Sequence, residues 1–304
     1  MIDLVTVGWL TVDDIVLEDG TCRRSMPGGG ALYSAIGAAI WTASVGVHAP
    51  AGRPHAERSR AEIASWGLDT AGIATAEGNG LELWMLHESD VHKQQIRKLS
   101  SSEPLAMDAA RGPLPEAYGK ASGFHVAPQG PESSIANAQR LHAPGRTVTM
   151  DILADEMIDA GRYADLSYLA CLDAFLPSEA EIDRIWAPAR IEDWLAETAR
   201  SGSSHVVGKI GSKGSLLAEA GTGRMTHVPA LAVDVADTTG AGDAYCGGFL
   251  AGLAAGRPLV ECSAMGTVSA SFVVEAYGAL ATKRPDAEER DARYERALSR
   301  AATI

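Results

Sequence analysis

The sequence predicts an α/β fold, a three-layer sandwich in which a mostly parallel sheet is covered by helices on both faces. Two observations carry that prediction. Apolar runs of strand length alternate with helix-like segments along nearly the whole chain. The 304 residues, 46% apolar and 21% charged, have the length and make-up of one large globular domain and not of a disordered chain.

In order, "LVTVGWL" (4–10) reads as a first buried strand and "ALYSAIGAAIWT" (31–42) as a buried helix. The segment "ASVGVHAP" (43–50) is a second strand, and "HAERSRAEIASWG" (55–67) is an amphipathic helix stopped at Gly67. Further strands are expected at "LELWMLHES" (81–89), "GFHVAP" (123–128) and "RTVTMDI" (146–152), with a strand-like region running into a turn at "DLSYLACLDAFLPS" (165–178). "IEDWLAETARSG" (191–202) is a helix that closes on Gly202 and leads into the strand "HVVGKIG" (205–211). "GSLLAEA" (214–220) and "MTHVPAL" (225–231) pair as a hairpin. "GDAYCGGFLAGLAAG" (242–256) and "LVECSAMGTVSASFVVEAYG" (259–278) are helices, the second with a bend, and the tail from Asp286 to Ala301 is a charged amphipathic helix. Two stretches break the rhythm: "TVDDIVLEDGTCRRSM" (11–26) and the region 81–103 alternate apolar and polar residues like half-exposed strands. They predict a small β lid, formed by about 10–27 and 81–103, standing off a single domain that spans 1–304.

A formal net charge of −13 argues against nucleic-acid and anionic-membrane partners, which need a basic surface. Residues 25–52 contain no Asp, Glu, Lys or Arg, a length that suggests a membrane span. Pro27, three consecutive glycines, His48 and Pro50 within it fit a buried helix and strand better. The N-terminus has an aspartate at position 3 and no basic leader, so no signal peptide is expected. Cys22, Cys171, Cys246 and Cys262 form no C-x-x-C pair, which suggests free thiols and a cytoplasmic location.

The most informative stretch is "VDVADTTGAGDAYCGGF" (233–249), read as strand, glycine turn and helix. Successive N–H groups at a helix start carry partial positive charge and bind anions. Gly240 and Gly242 would let a phosphate approach with no Cβ in the way, and Asp243 would sit in the first helical turn. An acid beside an anion is not placed there by attraction; it suits a base that takes a proton from a hydroxyl attacking a phosphoryl group. The bland alternative is an acid that complements the helix dipole after a turn. The other common nucleotide and hydrolase motifs, G-x-x-x-x-G-K-[ST], G-x-G-x-x-G after the first strand, H-E-x-x-H and G-x-S-x-G, are absent.

"DTTGAGDAYCGGFLAGL" resembles the C-terminal signature of the ribokinase (PfkB-type) sugar and nucleoside kinase family, and the resemblance runs in order along nearly the whole chain. "GWLTVDDI" resembles the family's first strand, "PGGGALYSAIGAA" its glycine-pair segment, "LPSEAEI" its N-x-x-E stretch, and "VVGKIGSKGSLL" the strand and glycine turn beside ATP. The resemblance implies a ribokinase-like fold and an ATP-dependent, Mg2+-requiring kinase acting on a sugar hydroxyl. It implies Asp243 as the catalytic base, with the amides of Gly240, Ala241, Gly242 and Asp243 around the anion hole. Asp13, Gly28, Gly29 and Tyr33 would meet the substrate; Lys209, Gly211, Ser212 and Gly214 would lie at the nucleotide. Glu181 would act on Mg2+ indirectly, and Asp237 would hold a monovalent cation such as K+. Ser178 stands where the family usually has one asparagine, and Tyr33 or Ser34 where it usually has another.

Several choices stay open at this level. Asp14 competes with Asp13, and Glu179 with Glu181. Lys93, Arg97 and Lys98 read as a solvated lid face rather than a sugar-phosphate clamp, so a neutral acceptor is expected. Trp9 and Trp84 fall at lid positions. A nucleoside kinase, and a catalytically silent sugar- or nucleotide-binding sensor, are the competing functions. A homodimer is expected from an exposed apolar face of the lid sheet, as in many members of the family it resembles.

Overall fold

The computed structural model describes residues 2–87, 93–154 and 160–304. Strand β1 (Leu4–Val7) is followed by β2 (Thr11–Val16) and β3 (Cys22–Gly28), then by helix α1 (Gly30–Ala39). Strand β4 (Val45–Gly52), helix α2 (Ala56–Ser65) and strand β5 (Asp69–Ala76) come next, then β6 (Leu81–His87), β7 (Lys93–Arg97) and α3 (Pro104–Ala110). The middle of the chain alternates β8 (Gly123–Val126), α4 (Pro131–Leu141), β9 (Thr147–Met150), β10 (Ala174–Phe175), α5 (Glu179–Trp186), α6 (Ile191–Ser201) and β11 (His205–Lys209). It ends with β12 (Ser215–Ala218), β13 (Met225–Val228), α7 (Ala241–Ala254), α8 (Leu259–Val273), α9 (Ala287–Ser299) and β14 (Ala302–Thr303).

Among the described residues, ten strands form one sheet in the order β14-β13-β12-β11-β10-β9-β8-β1-β4-β5. The run from β11 to β5 is parallel, and β12, β13 and β14 add an antiparallel edge. One face packs on α1, α2 and α7 through Leu4, Val45, Val47, Ile36 and Leu250; the other packs on α4, α5 and α6 through Val5, Val7, Phe124, Val148, Leu141, Ile182 and Leu195. The architecture is therefore a three-layer α/β/α sandwich. The chain winds outward from β1 through β4 to β5, then returns to β8 on the other side of β1. The topological switch lies between β1 and β8, where ligands of open α/β sheets bind at the carboxyl ends of the strands. A second sheet, ordered β3-β2-β6-β7, stands at that end. Residues 88–92, inside the stretch expected to form part of the lid, lie outside the described residues, as does the Lys93 side chain.

Three expected elements differ. The region 165–178 is a 3-10 turn over Ser167–Cys171 followed by the two-residue β10. The Asp165 carboxylate accepts both the amide and the hydroxyl of Ser167, at 3.0 Å each, and Leu166 adopts a left-handed φ of 55°. That local hydrogen bonding bends the chain out of the extended state. Residues 233–236 form no strand: the amides of Ala236 and Asp237 donate to the Val274 carbonyl beyond α8, at 2.7 and 3.1 Å, so the loop is tied to a helix end. The expected bend in α8 is its terminus, since the helix stops at Val273.

The glycines of α7 have a packing reason. A Cβ at Gly247 would overlap the Ser34 carbonyl, and one at Gly37 would overlap the Ala244 carbonyl. Helices α1 and α7 thus cross backbone against backbone, which brings their N-termini together at the switch point. We predict that Gly247→Ala forces this crossing open and costs ~1–3 kcal/mol, read as a drop of several degrees in the thermal unfolding midpoint. An unchanged midpoint would contradict backbone contact between the two helices.

Candidate active site

The turn before α7 fixes the site. Gly240 caps the helix in the left-handed region, at φ 74°. The Tyr33 ring occupies the space that a Cβ there would fill, so this position needs glycine for both conformation and room. The Ala241 amide donates to the Thr238 carbonyl at 3.3 Å and the Ala244 amide to the Gly240 carbonyl at 2.9 Å. Ala241 is therefore partly engaged within the turn. Among the described residues no backbone carbonyl accepts from the Gly242 amide, which leaves it available at the positive end of the helix dipole.

Asp243 stands in the first turn of α7. Its Oδ1 lies 2.9 Å from where a Cβ on Gly30 would project, with Pro128 Cδ at the same distance. Gly30 opens α1 and Pro128 follows β8, so the carboxylate sits at the switch between β1 and β8. The neighbouring glycines serve the second acid. A Cβ on Gly28 would strike the Asp13 carboxylate, and one on Gly29, at φ 97°, would strike the Trp9 carbonyl. Asp13 is 3% exposed, and its Oδ1 has no hydrogen-bond partner among the described residues. Burial pushes its pKa up to about 7, against the pull of Thr11 and the Lys98 ammonium.

Asp14 is differently placed. Its carboxylate accepts the Ser25 amide at 2.8 Å and pairs with Lys98 at 2.9 Å. Burial is the largest influence on its pKa, but the Ser25 and Lys98 hydrogen bonds and the Lys98 charge outweigh it and hold the pKa low. The β2–β3 pairing is irregular between Asp13 and Ile15, which is how two adjacent strand residues are both buried. Lys98 also lies 5.0 Å over the Trp84 ring, and Arg97 pairs with Glu103 at 2.6 Å. Both cations are thus engaged inside the second sheet and its flank. Trp9 belongs to the main body: its indole N–H donates to Asp108 at 2.7 Å.

Tyr33 is buried, and its phenol pKa is driven up first by desolvation and then by the charges of Asp13, Asp237 and Asp243. All three carboxylates thus lie within electrostatic reach of its phenol. Ser34, the other residue near the usual asparagine position, turns its backbone toward α7. The Asp237 Oδ1 accepts the Thr239 amide at 2.8 Å and lies 3.4 Å from His87 Nε2 on β6. Its buried Oδ2 has no hydrogen-bond partner among the described residues.

A second cluster occupies the carboxyl ends of β9, β10 and β11. The Lys209 ammonium forms an ion pair with Asp151. Glu181 and Ser178 form a reciprocal capping box at the start of α5, with the Ser178 amide donating to the Glu181 carboxylate at 2.6 Å. Burial and the Asp151 charge raise the Glu181 pKa to about 7, opposed by Lys209 and Ser178. Gly211, Ser212 and Gly214 form the turn that leaves β11, with Gly211 and Gly214 at φ 61° and 104°. The structure thus collects Gly28, Gly29, Tyr33, Asp13, Asp237 and Asp243 around the starts of α1 and α7, with the Lys209 ammonium beside the first turn of α7 and Glu181 and the 211–214 turn at the carboxyl ends of the neighbouring strands. Sequence reasoning missed Asp151 and Pro128. Asp151 ends the apolar run "TVTM", and a polar residue at a strand's carboxyl end is the signal that could have found it.

The family described as "pfkB family carbohydrate kinase" matches residues 1–286. The cytidine kinase of Thermococcus kodakarensis is 30% identical over 284 residues, covering 91% of this chain and 98% of that one. Among solved structures, Burkholderia thailandensis nucleoside kinase in complex with ADP-inosine aligns with a TM-score of 0.76 at 17% identity, covering 97% of this chain and 96% of that one. An Escherichia coli protein solved in complex with ATP and Mg2+ aligns with a TM-score of 0.74 at 17% identity, over 97% and 100%.

The Asp13 carboxyl has a measurable consequence. Below about pH 4 it is protonated in both folded and unfolded chains and costs nothing. As pH rises toward 7 the unfolded chain ionises first, so the folded state loses stability, and the loss is complete above about pH 7. Asp13→Asn is therefore expected to match the parent at pH 4 and to exceed it by a few kcal/mol, on the order of 1.4 per pKa unit, at pH 8. Urea unfolding across that range checks it; a variant no more stable than the parent at pH 8 would contradict the burial.

Proposed function

The chain belongs to the pfkB family of carbohydrate kinases, and on that premise we propose that it transfers the γ-phosphoryl group of ATP to a hydroxyl of a nucleoside. The observation that carries the reading is the Asp243 carboxylate in the first turn of α7, at the β1–β8 switch, facing the glycine segment that also seats Asp13. Asp243 takes the proton of the attacking hydroxyl. The amides of the Gly240–Asp243 turn and the positive end of α7 stabilise charge on the transferred phosphoryl group. Asp13 and Tyr33 hold acceptor hydroxyls, with Gly28 and Gly29 keeping the approach open. Lys209 and the turn of Gly211, Ser212 and Gly214 hold the phosphates and sugar of ATP.

A nucleoside is favoured over the free sugar suggested by the sequence because the cytidine kinase relative matches along nearly its whole length. A free sugar is the second reading, supported by the 36% identity to a 2-dehydro-3-deoxygluconokinase over 116 residues. Mg2+ enters as MgATP. No group of three or more metal-ligating side chains occurs among the described residues, which fits a metal carried by phosphates and waters, with Glu181 acting through water. The Oδ2 of Asp237, which has no hydrogen-bond partner among the described residues, suits a monovalent cation such as K+. The second sheet would close over the acceptor and exclude water, and its exposed strand β3 would meet a second copy in a homodimer. Four free cysteines support a cytoplasmic setting, and no described helix is long and apolar enough to cross a membrane.

The test is ADP release from MgATP against nucleosides, free sugars and sugar phosphates. Turnover is expected with a nucleoside and not with a sugar phosphate, and Asp243→Asn should lower it roughly 10²- to 10⁴-fold with little change in acceptor affinity. Tight ATP binding with no acceptor-dependent ADP would instead identify a sensor. Near-normal turnover by Asp243→Asn would reduce the turn to a helix cap.

A further inference from the structure

We propose that Lys209 completes the anion site of the α7 turn by engaging the γ-phosphoryl group of ATP, and that Asp151 is the positioning residue that holds it there. The inference rests on the phosphotransfer reading above and adds to it a residue with no role so far.

Lys209 is the last residue of β11 and Asp151 the first after β9, so both project from the carboxyl edge of the sheet. The Lys209 ammonium lies 3.5 Å from where a Cβ on Gly242 would project. A helical Cβ leans toward the N-terminus, so the cation flanks the first turn of α7 on the side where an anion docks. It lies 3.6 Å from the Cys246 thiol, one turn further along the same helix. The Ala241 amide is already bonded to Thr238, so one donor of the turn is spent, and a lysine adds a full positive charge beside the amides that remain.

A four-carbon stem does not hold one position unaided. Asp151 fixes it through the ion pair, and Asp151 is itself fixed by the Ile152 amide at 2.9 Å and the Cys246 thiol at 3.6 Å. The side chains of Lys209 and Asp151 are only 11% and 3% exposed. A pair buried to this degree is a poor device for stability alone, since apolar side chains of the same volume serve as well. Its place beside the phosphoryl-binding turn gives it a use.

ATP and ADP separate this role from a structural one, because only ATP carries the γ-phosphoryl group. MgATP and MgADP would be titrated calorimetrically into the parent, Lys209→Met, Asp151→Asn and the double variant, each checked by thermal melting. Lys209→Met is expected to lose about ten- to a hundredfold in ATP affinity while its ADP affinity stays within about twofold. Asp151→Asn should show a smaller loss with the same selectivity, and should add nothing on the Lys209→Met background. If a single variant fails to fold around an unpaired charge, the double variant, with both charges gone, still gives the ATP-to-ADP comparison. Equal weakening of both nucleotides, no weakening of ATP, or additive losses would overturn the assignment. A parent that binds both nucleotides but phosphorylates no acceptor would defeat the phosphotransfer reading and leave this one to the same comparison. A parent that binds neither would defeat both.

Discussion

The crossing of α1 and α7 is the constraint on which the rest depends. Gly37 and Gly247 let the two backbones touch, and no side chain could be inserted there without separating the helices. Because they touch, the N-terminus of α7 meets the N-terminus of α1, and Asp243 meets Gly30 beside Pro128. The parallel sheet supplies the other coordinate, since the outward winding from β1 and the return to β8 leave a crevice at that point. Packing small residues inside a helix costs conformational entropy. Here it sets the relative position of an acid, a helix dipole and a glycine segment.

The site concentrates negative charge. The charges of Asp13, Asp237 and Asp243 act on Tyr33, and those of Asp151 and Glu181 act on Lys209. Burial raises the pKa values of Asp13 and Glu181 to about 7, which is a cost to the folded state in neutral solution. Such a cost is characteristic of groups kept for a ligand rather than for stability. An acceptor hydroxyl donating to Asp13 would satisfy the oxygen that has no hydrogen-bond partner among the described residues. A phosphoryl anion beside Lys209 would balance a cation now shared between two carboxylates.

Much of this was legible in the sequence, and what was not has physical causes. The alternation of strands and helices, the half-exposed strands of the second sheet and the glycine turn before Asp243 are all local signals. The choice between Asp13 and Asp14 was not local: adjacent residues on a regular strand face opposite ways, and only the irregular pairing with β3 shows that Asp14 is consumed by Ser25 and Lys98. Asp151 was invisible because its partner is 58 positions away, across strands whose order the sequence does not state. The misread region at 165–178 failed because one Asx-type turn at Asp165 overrides an apolar run that reads as extended. The loop at 233–236 looked like a strand from its valines, while its amides are satisfied by a helix end.

The central claim is that the acceptor hydroxyl attacks the γ-phosphorus directly, with Asp243 as base. An aspartate this close to a transferred phosphoryl group has a second chemical option, attack on phosphorus to form an acyl phosphate. The stereochemical course separates the two. With ATP made chiral at the γ-phosphorus by oxygen isotopes, direct in-line transfer inverts the configuration once. A phosphorylated Asp243 would invert twice and return net retention. Inversion in the phosphorylated product is the result the account predicts, and retention would contradict it.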